Sequence, residues 1–214
     1  MNTSTQQSPK SCSVDVVFDR PGMTSFGGAA PMVDYFRDTA ALRSSFEFFG
    51  KEKAPWAEYS SAEELETLVT AYALGIERID HADSIERDPL LCAKLGLPKL
   101  PHKTTLSRAL DRFRTEQDLV ALHQINASVL SYMLEGPSAR VMDLDTTVET
   151  VHGHQQGTTK GYNSRYHGRK SYQPLFAFDS DSQAVLHATL RNGFSPSAQE
   201  IIAFVKTAQQ AYPQ

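Results

Sequence analysis

Cysteine is scarce: Cys12 and Cys92 are the two in 214 residues. Two isolated thiols make neither a disulfide framework nor a zinc site. They read as one tail thiol and one helix-core thiol, and suit a reducing cytosol. Long apolar runs are missing too. The longest, such as Ile201-Ile202-Ala203-Phe204-Val205, are far too short to cross a bilayer. Met1 to Ser13 is polar, with Lys10 its only charge and no apolar segment of the secretory kind. The expectation is a cytoplasmic protein with no membrane partner. Nor is there an excess of positive charge: 21 Lys and Arg stand against 25 Asp and Glu, a net charge of -4. That excludes a uniformly basic nucleic-acid coat and leaves room for a local basic patch. No phosphate-cradling glycine motif of the Walker or Rossmann kind appears, and no nucleophile elbow. What is present is an apolar fraction of 40%. A chain of this length can bury roughly 70% of the surface its unfolded form exposes, enough for one large domain or two small ones.

Residues 1–13 are rich in Ser, Thr and Gln and read as a disordered tail. Val14-Asp15-Val16-Val17-Phe18 is β-prone, and Pro21-Gly22 and Gly27-Gly28 mark a small hairpin or loop leading into a helix. From 31 to 100 the pattern is mostly helical. The clearest helix spans about 62–80, with a capping box at Ser60 and Glu63, or at Ser61 and Glu64. Leu65, Leu68, Val69, Tyr72, Ala73, Ile76 and Ile79 form its apolar face. Residues 41–100 carry 11 acidic and 7 basic side chains, read as a solvated acidic rim.

A candidate helix-turn-helix covers 84–115. Its first helix runs from Ile85 to Leu95, and Gly96, Pro98 and Pro101 break the chain. A second helix starts at Thr104 or Thr105. It displays Thr104, Thr105, Ser107, Arg108 and Arg112 while burying Leu106, Ala109, Leu110 and Phe113. Hydroxyls and arginine at a helix N-terminus suit phosphates and base edges. A further helix over 116–135 turns Leu119, Leu122, Ile125, Val129 and Met133 toward a core. Trp56, beside Pro55, reads as a packing residue.

The character changes at Gly136-Pro137. Strands are expected at 140–149, 172–179 and 184–191, with Asp179-Ser180-Asp181-Ser182 as a hairpin turn. A helix follows at 197–210, capped by Ser197 and Glu200. The fold class is mixed α/β, a helical region followed by a β-β-β-α unit.

Two places in this half carry chemistry. In Val141-Met142-Asp143-Leu144-Asp145-Thr146-Thr147-Val148, alternate residues share a face, so Asp143, Asp145 and Thr147 point one way. The two aspartates stand about 6.6 Å apart along the strand. Asp is disfavoured in strands, so a pair needs a reason: a hard-metal site for Mg²⁺ or Mn²⁺, or an exposed polar edge. Then, from 150 to 178, there is no acidic residue, but there are four Lys or Arg, three His and three Tyr. Cations neutralise phosphates, tyrosines stack on bases, and glycines let a backbone approach a strand closely. His152 and His154 lack the cysteines or third ligand that a zinc site needs.

Asp143-Leu144-Asp145-Thr146-Thr147-Val148, His152-Gly153, Gln156-Gly157, Lys160-Gly161-Tyr162-Asn163, Gly168-Arg169, Ser171-Tyr172, Pro174-Leu175, Phe178-Asp179 and Arg191-Asn192-Gly193 together resemble a DDE-domain transposase of bacterial insertion sequences. Ser25-Phe26-Gly27-Gly28, Arg87-Asp88-Pro89 and Thr105-Leu106-Ser107-Arg108 resemble the family's N-terminal region. The resemblance implies a helical DNA-binding region over 14–136 and the first part of an RNase H-like catalytic domain over 137–214. In that family two aspartates and a glutamate hold two divalent metals for in-line attack on a DNA phosphate. Asp145, directly before Thr146-Thr147, is the first choice for the catalytic and metal-binding aspartate, and Asp143 the second. Lys160, Tyr162, Asn163, Arg165, Arg169 and Lys170 then contact DNA near the site. Thr104, Thr105, Ser107, Arg108 and Arg112 become readers of the element's terminal inverted repeats. The family's second aspartate and its glutamate belong to later elements than those seen here. The expectation is therefore an N-terminal fragment that is catalytically incomplete alone, with Mg²⁺ or Mn²⁺ a cofactor of the intact enzyme and none held by this chain. It would act as a DNA-binding repressor, associate with intact transposase as a homo-oligomer, or survive as a remnant without function.

Overall fold

The computed structural model describes residues 24–38, 46–47, 53–134 and 140–211. The expected tail over 1–13, with Cys12, and the 14–23 part of the hairpin or loop expected over 14–30 lie outside them. The helical half holds α1 (Ala29–Asp38), α2 (Ser61–Ala73), a 3-10 turn (Ile79–Ser84), α3 (Pro89–Leu95), α4 (Lys103–Leu110) and α5 (Glu116–Met133). Then come β1 (Met142–Thr146), β2 (Glu149–Thr150), β3 (Ser171–Tyr172), β4 (Leu175–Asp179), β5 (Val185–Thr189) and α6 (Ala198–Gln209). No helix among the described residues is long and apolar enough to cross a membrane.

Local chemistry sets most boundaries. The capping box of α2 is Ser60 with Glu63, not Ser61 with Glu64. The helix stops at Ala73, earlier than the periodicity predicts, because Gly75 takes a φ of 81° and turns the chain away. Tyr72, assigned to the apolar face, is 54% exposed there. The helix expected from Ile85 begins only at Pro89. Asp88 caps it by accepting from the N–H groups of Leu90 and Leu91, and Pro89 sits in its first turn. Asp88 also accepts a 2.6 Å bond from the Thr24 hydroxyl, so the Thr24–Gly28 and Arg87–Pro89 segments meet. At the other end of α3, Arg37 donates to the carbonyls of Lys94 and Leu95 while holding Glu66 through two nitrogens. One guanidinium thus satisfies orphan carbonyls and neutralises a buried carboxylate.

Among the described residues, three apolar clusters hold the fold. One gathers Ala29, Val33, Ala71, Ile85, Leu91, Leu95 and Leu100. A second gathers Phe46, Ala62, Leu65, Leu68, Ala82, Leu106 and Ile125. The third joins Leu130 and Leu134 to Leu175, Ala177, Leu186, Phe204 and Ala208. Helix α5 therefore serves both halves, with Ile125 in the helical core and Leu130 on the sheet. Its Asn126 amide donates to the Val185 and Leu186 carbonyls, where β5 is irregular opposite Ala177 and Phe178. Leu119 and Leu122, expected in a core, are each 48% exposed. Trp56 does not pack; it is 86% exposed. The acidic rim also needs correction. Glu64 and Glu66 are buried, Glu64 with Lys53 and Arg112 around it.

The sheet is antiparallel in the order β1-β4-β5, the three-strand arrangement expected, with α6 and α5 on one face. Asp179 closes the β4–β5 turn by accepting from the Ser182 N–H and hydroxyl. Helix α6 is capped as the sequence predicts. The Glu200 carboxylate accepts from the Ser197 N–H and hydroxyl and pairs with Arg191 at 2.6 Å. The backbone bond from Ser197, then the Arg191 bond, draws its pKa from 4.5 down to about 2. A carboxylate depressed in the folded state stabilises fully above its ordinary pKa and loses that contribution as pH falls toward the depressed one. Glu200→Gln is expected to remove the part of the acid dependence between pH 4.5 and about 2 that belongs to this group. An NMR titration of the Glu200 carboxyl, together with acid unfolding of both chains, checks it.

Candidate nucleic-acid interface and carboxylate strand

Strand β1 is an edge of its sheet. Its register sets Asp143 opposite Phe178 and Asp145 opposite Phe176. The alternate residues Met142, Leu144 and Thr146 stand opposite Asp179, Ala177 and Leu175, all buried, with Ala177 and Leu175 packed against the helices. So the two aspartates lie on the face away from α5 and α6, beside the stacked rings of Phe176 and Phe178, 5.9 Å apart. Both are exposed. One Asp145 oxygen accepts from the Thr146 N–H at 2.8 Å, while the Thr146 hydroxyl donates to the Pro174 carbonyl at 2.8 Å. Among the described residues neither aspartate pairs with a cation, and neither belongs to a group of three His, Cys, Asp or Glu able to share an ion. Such a group does exist elsewhere: Asp83, Glu86 and His102. Lys103 holds Asp83 at 2.9 Å and Lys99 holds Glu86 at 2.9 Å, so it reads as an ion-paired brace at the start of α4.

Beyond β1 the chain enters a short ribbon, with Glu149 opposite Tyr172 and Thr150 opposite Ser171. The intervening 151–170 segment is the acid-free stretch. It is anchored by Val151 and Lys170, by a bridge between Thr159 and Ser171, and by Gly193, whose N–H donates to the Thr159 hydroxyl. Gly161 lies so close to Gly193 that a Cβ on it would stand 1.6 Å from the Gly193 carbonyl oxygen. A Cβ on Gly193 would meet Ser171 Oγ and the Thr159 carbonyl at 2.6 Å. This backbone-to-backbone seat was visible in the sequence only as two glycines. Nothing local pairs position 161 with position 193.

The anchored segment presents its cations outward. Lys160, Arg165, Arg169 and Lys170 are exposed, and among the described residues none has a carboxylate partner. Lys160, Arg169 and Lys170 line one open cavity of about 370 Å³ with Val151, Gly153 and Gly168. Tyr162 is 69% exposed and Tyr166 46%. Asn163 is different. It is 4% exposed, donates to the Thr150 hydroxyl, and accepts from the N–H groups of Arg165 and Tyr166. It folds the loop rather than facing solvent. Asn163→Ala strands two backbone donors and is expected to cost about 2 kcal/mol. Binding through Arg165 should weaken with it, as paired denaturation and DNA-binding measurements would register.

On α4, Thr104, Ser107 and Arg108 are exposed and Thr105 half-buried. His102 caps the helix through Nδ1, which accepts from the Thr104 N–H at 3.3 Å. Arg112 turns inward to Glu64. The two helices proposed as a helix-turn-helix differ from that motif in packing. Leu91 and Leu95 of α3 join the cluster with Ala29 and Val33, whereas Leu106 of α4 joins the one with Leu65 and Leu68. The connection, 96–102, also exceeds the motif's usual turn of about 3–4 residues.

A family model described as transposase DDE domain group 1 matches residues 6–214. The chain belongs to that family. No curated protein matches it, and no solved structure does. A DDE transposase is a DNA-acting protein whose chemistry generally uses divalent metal. That gives a chemical context to an exposed carboxylate strand leading directly into an acid-free basic loop.

Proposed function

We propose that this DDE transposase domain binds the ends of its mobile element through the 151–170 loop and uses Asp145, with Asp143 as second choice, as a ligand for the metal that serves DNA strand cleavage and transfer. The observation that carries the reading is the adjacency in one hairpin of Asp143 and Asp145 with Lys160, Arg165, Arg169 and Lys170, all exposed and, among the described residues, without a partner of opposite charge. Carboxylate oxygens suit Mg²⁺ or Mn²⁺, so the donor chemistry fits. A bound divalent metal would supply activation of an attacking oxygen and stabilisation of the leaving oxygen. The chain's own part is to hold the phosphate. Lys160, Arg169 and Lys170 neutralise it around their shared cavity, while Arg165 and the rings of Tyr162 and Tyr166 engage neighbouring nucleotides. Helix α4 offers Thr104, Thr105, Ser107 and Arg108 to the terminal inverted repeats, and Arg112 supports that helix from within. An RNase H-like β-β-β-α unit is the framework this reading uses.

The replacement Lys160→Ala/Arg169→Ala/Lys170→Ala tests it. Three lost phosphate contacts should flatten the dependence of log K on log salt by about 3 for duplex DNA, with affinity lower at low salt. An unchanged salt slope in a mobility-shift series would defeat the reading. A second reading rests on a separate observation: among the described residues no third carboxylate joins Asp143 and Asp145. On that ground the chain alone occupies element ends without cutting them, as a repressor or as a partner of intact transposase. Mg²⁺-dependent nicking by the purified chain, lost in Asp145→Asn, would overturn the second reading and support the first.

A further inference from the structure

Two exposed aromatic residues leave the Gly161–Gly193 crossing, one on each segment. Tyr162 follows Gly161 and is 69% exposed; Phe194 follows Gly193 and is 55% exposed. The segments touch there, since a Cβ on Gly161 would stand 3.1 Å from the Phe194 nitrogen. Among the described residues neither ring packs against another ring. A single exposed aromatic needs no explanation. These two differ because their backbones are fixed. Tyr162 sits between the seated Gly161 and the buried Asn163, which is bonded to Thr150, Arg165 and Tyr166. Phe194 donates its N–H to Asn192 Oδ1, and its carbonyl accepts from the Arg191 guanidinium, each at 3.1 Å. Both rings are displayed from a pre-organised mount, so a partner meets them at little ordering cost.

Charge selects the partner. Lys160 directly precedes Gly161, is exposed, and has no carboxylate partner among the described residues. The acid nearest to Phe194 in sequence, Glu200, is already held by Arg191 and Ser197. Rings beside a free cation match a nucleotide, with its phosphate on the cation and its base on a ring. A base inside a duplex has both faces stacked on its neighbours, so it must be unpaired or splayed to offer one. We propose that Tyr162 and Phe194 form an aromatic clasp for an unpaired base, so that DNA with an unpaired end binds more tightly than fully paired duplex. This preference rests on DNA binding by the 151–170 loop and specifies the form of DNA that the loop favours. Tyr166 is not equivalent to Tyr162. Arg165 lies over its ring at 5.9 Å and His152 meets it edge-on at 6.5 Å, so Tyr162 offers the freer face.

The test measures binding of the 214-residue chain to two probes by fluorescence anisotropy. One is a short blunt duplex; the other is the same duplex with an unpaired tail carrying 2-aminopurine. Wild type is expected to favour the tailed probe by about fivefold or more and to quench the 2-aminopurine as it stacks. Tyr162→Leu and Phe194→Leu should each shrink that preference and the quenching. Neither changes a charge, so the salt slope should stay as in wild type, and both positions are exposed, so the urea midpoint should too. Tyr162→Phe keeps the ring face and should keep the preference. Equal affinity of wild type for the two probes, or full preference in both leucine variants, would overturn the clasp. So would self-association that the leucine variants lose while the tail preference stands, which would assign the rings to a second copy of the chain. The Lys160, Arg169 and Lys170 replacement separates the two levels. A flattened salt slope without any tail preference in wild type defeats the clasp alone and leaves the loop reading in place.

Discussion

Gly161→Ala is expected to destabilise the β-half by roughly 3 kcal/mol and to abolish ordered presentation of the basic loop. The added Cβ would stand 1.6 Å from the carbonyl oxygen of Gly193 and 2.4 Å from its carbon. Both are backbone atoms, so no rotamer change relieves the contact. Gly193 cannot retreat freely either, because its N–H is bonded to Thr159 and its α-carbon sits over Ser171. The loop must part from the 191–194 segment, losing the Thr159–Gly193 bond. Gly157→Ala is the control. Its φ of 80° makes alanine strained, but the new Cβ would meet only the Tyr172 ring at 3.7 Å. Its cost should stay near the left-handed penalty of about 1–2 kcal/mol. Urea unfolding compares the two, and equal destabilisation would show that close packing at Gly161 is not what matters.

That contrast marks what a sequence reveals. Capping is local, so Ser197–Glu200 could be read from spacing, and Ser60–Glu63 as one of the two boxes the spacing allows. The carboxylate strand was legible for the same reason: alternation fixes which residues share a face. The Asp179 turn followed from its polar run. The misses are long-range. Glu64 looks like any helix-surface glutamate until Lys53 and Arg112 close over it. Arg112 and Asn163 have the chemistry of DNA contacts, yet each is taken up by a partner in the fold. The α2 terminus and the start of α3 depart from the pattern for a local reason. Apolar periodicity continues through Gly75 and Asp88-Pro89, but their backbone preferences override it.

The buried ion group around Glu64 should give the other large effect. Glu64 is 1% exposed in its side chain, with Lys53 Nζ at 2.6 Å from one oxygen and Arg112 bonded to the other. Lys53 precedes α2, Glu64 is on α2, and Arg112 follows α4, so one carboxylate ties three segments together. Desolvating these charges offsets much of their attraction, and the group is not a large net source of stability. Breaking it is another matter. Glu64→Ala leaves two cations, 18% and 27% exposed, facing a cavity without their counter-charge, at an expected cost of about 3–4 kcal/mol. Arg112→Ala should cost less, since Lys53 still neutralises Glu64. It should also leave the salt slope of DNA binding untouched, unlike the Lys160, Arg169 and Lys170 replacements. Denaturation of the two single variants, paired with the binding series, separates the roles. If Arg112→Ala flattened the salt slope by about one unit while barely changing stability, Arg112 would be a phosphate contact after all.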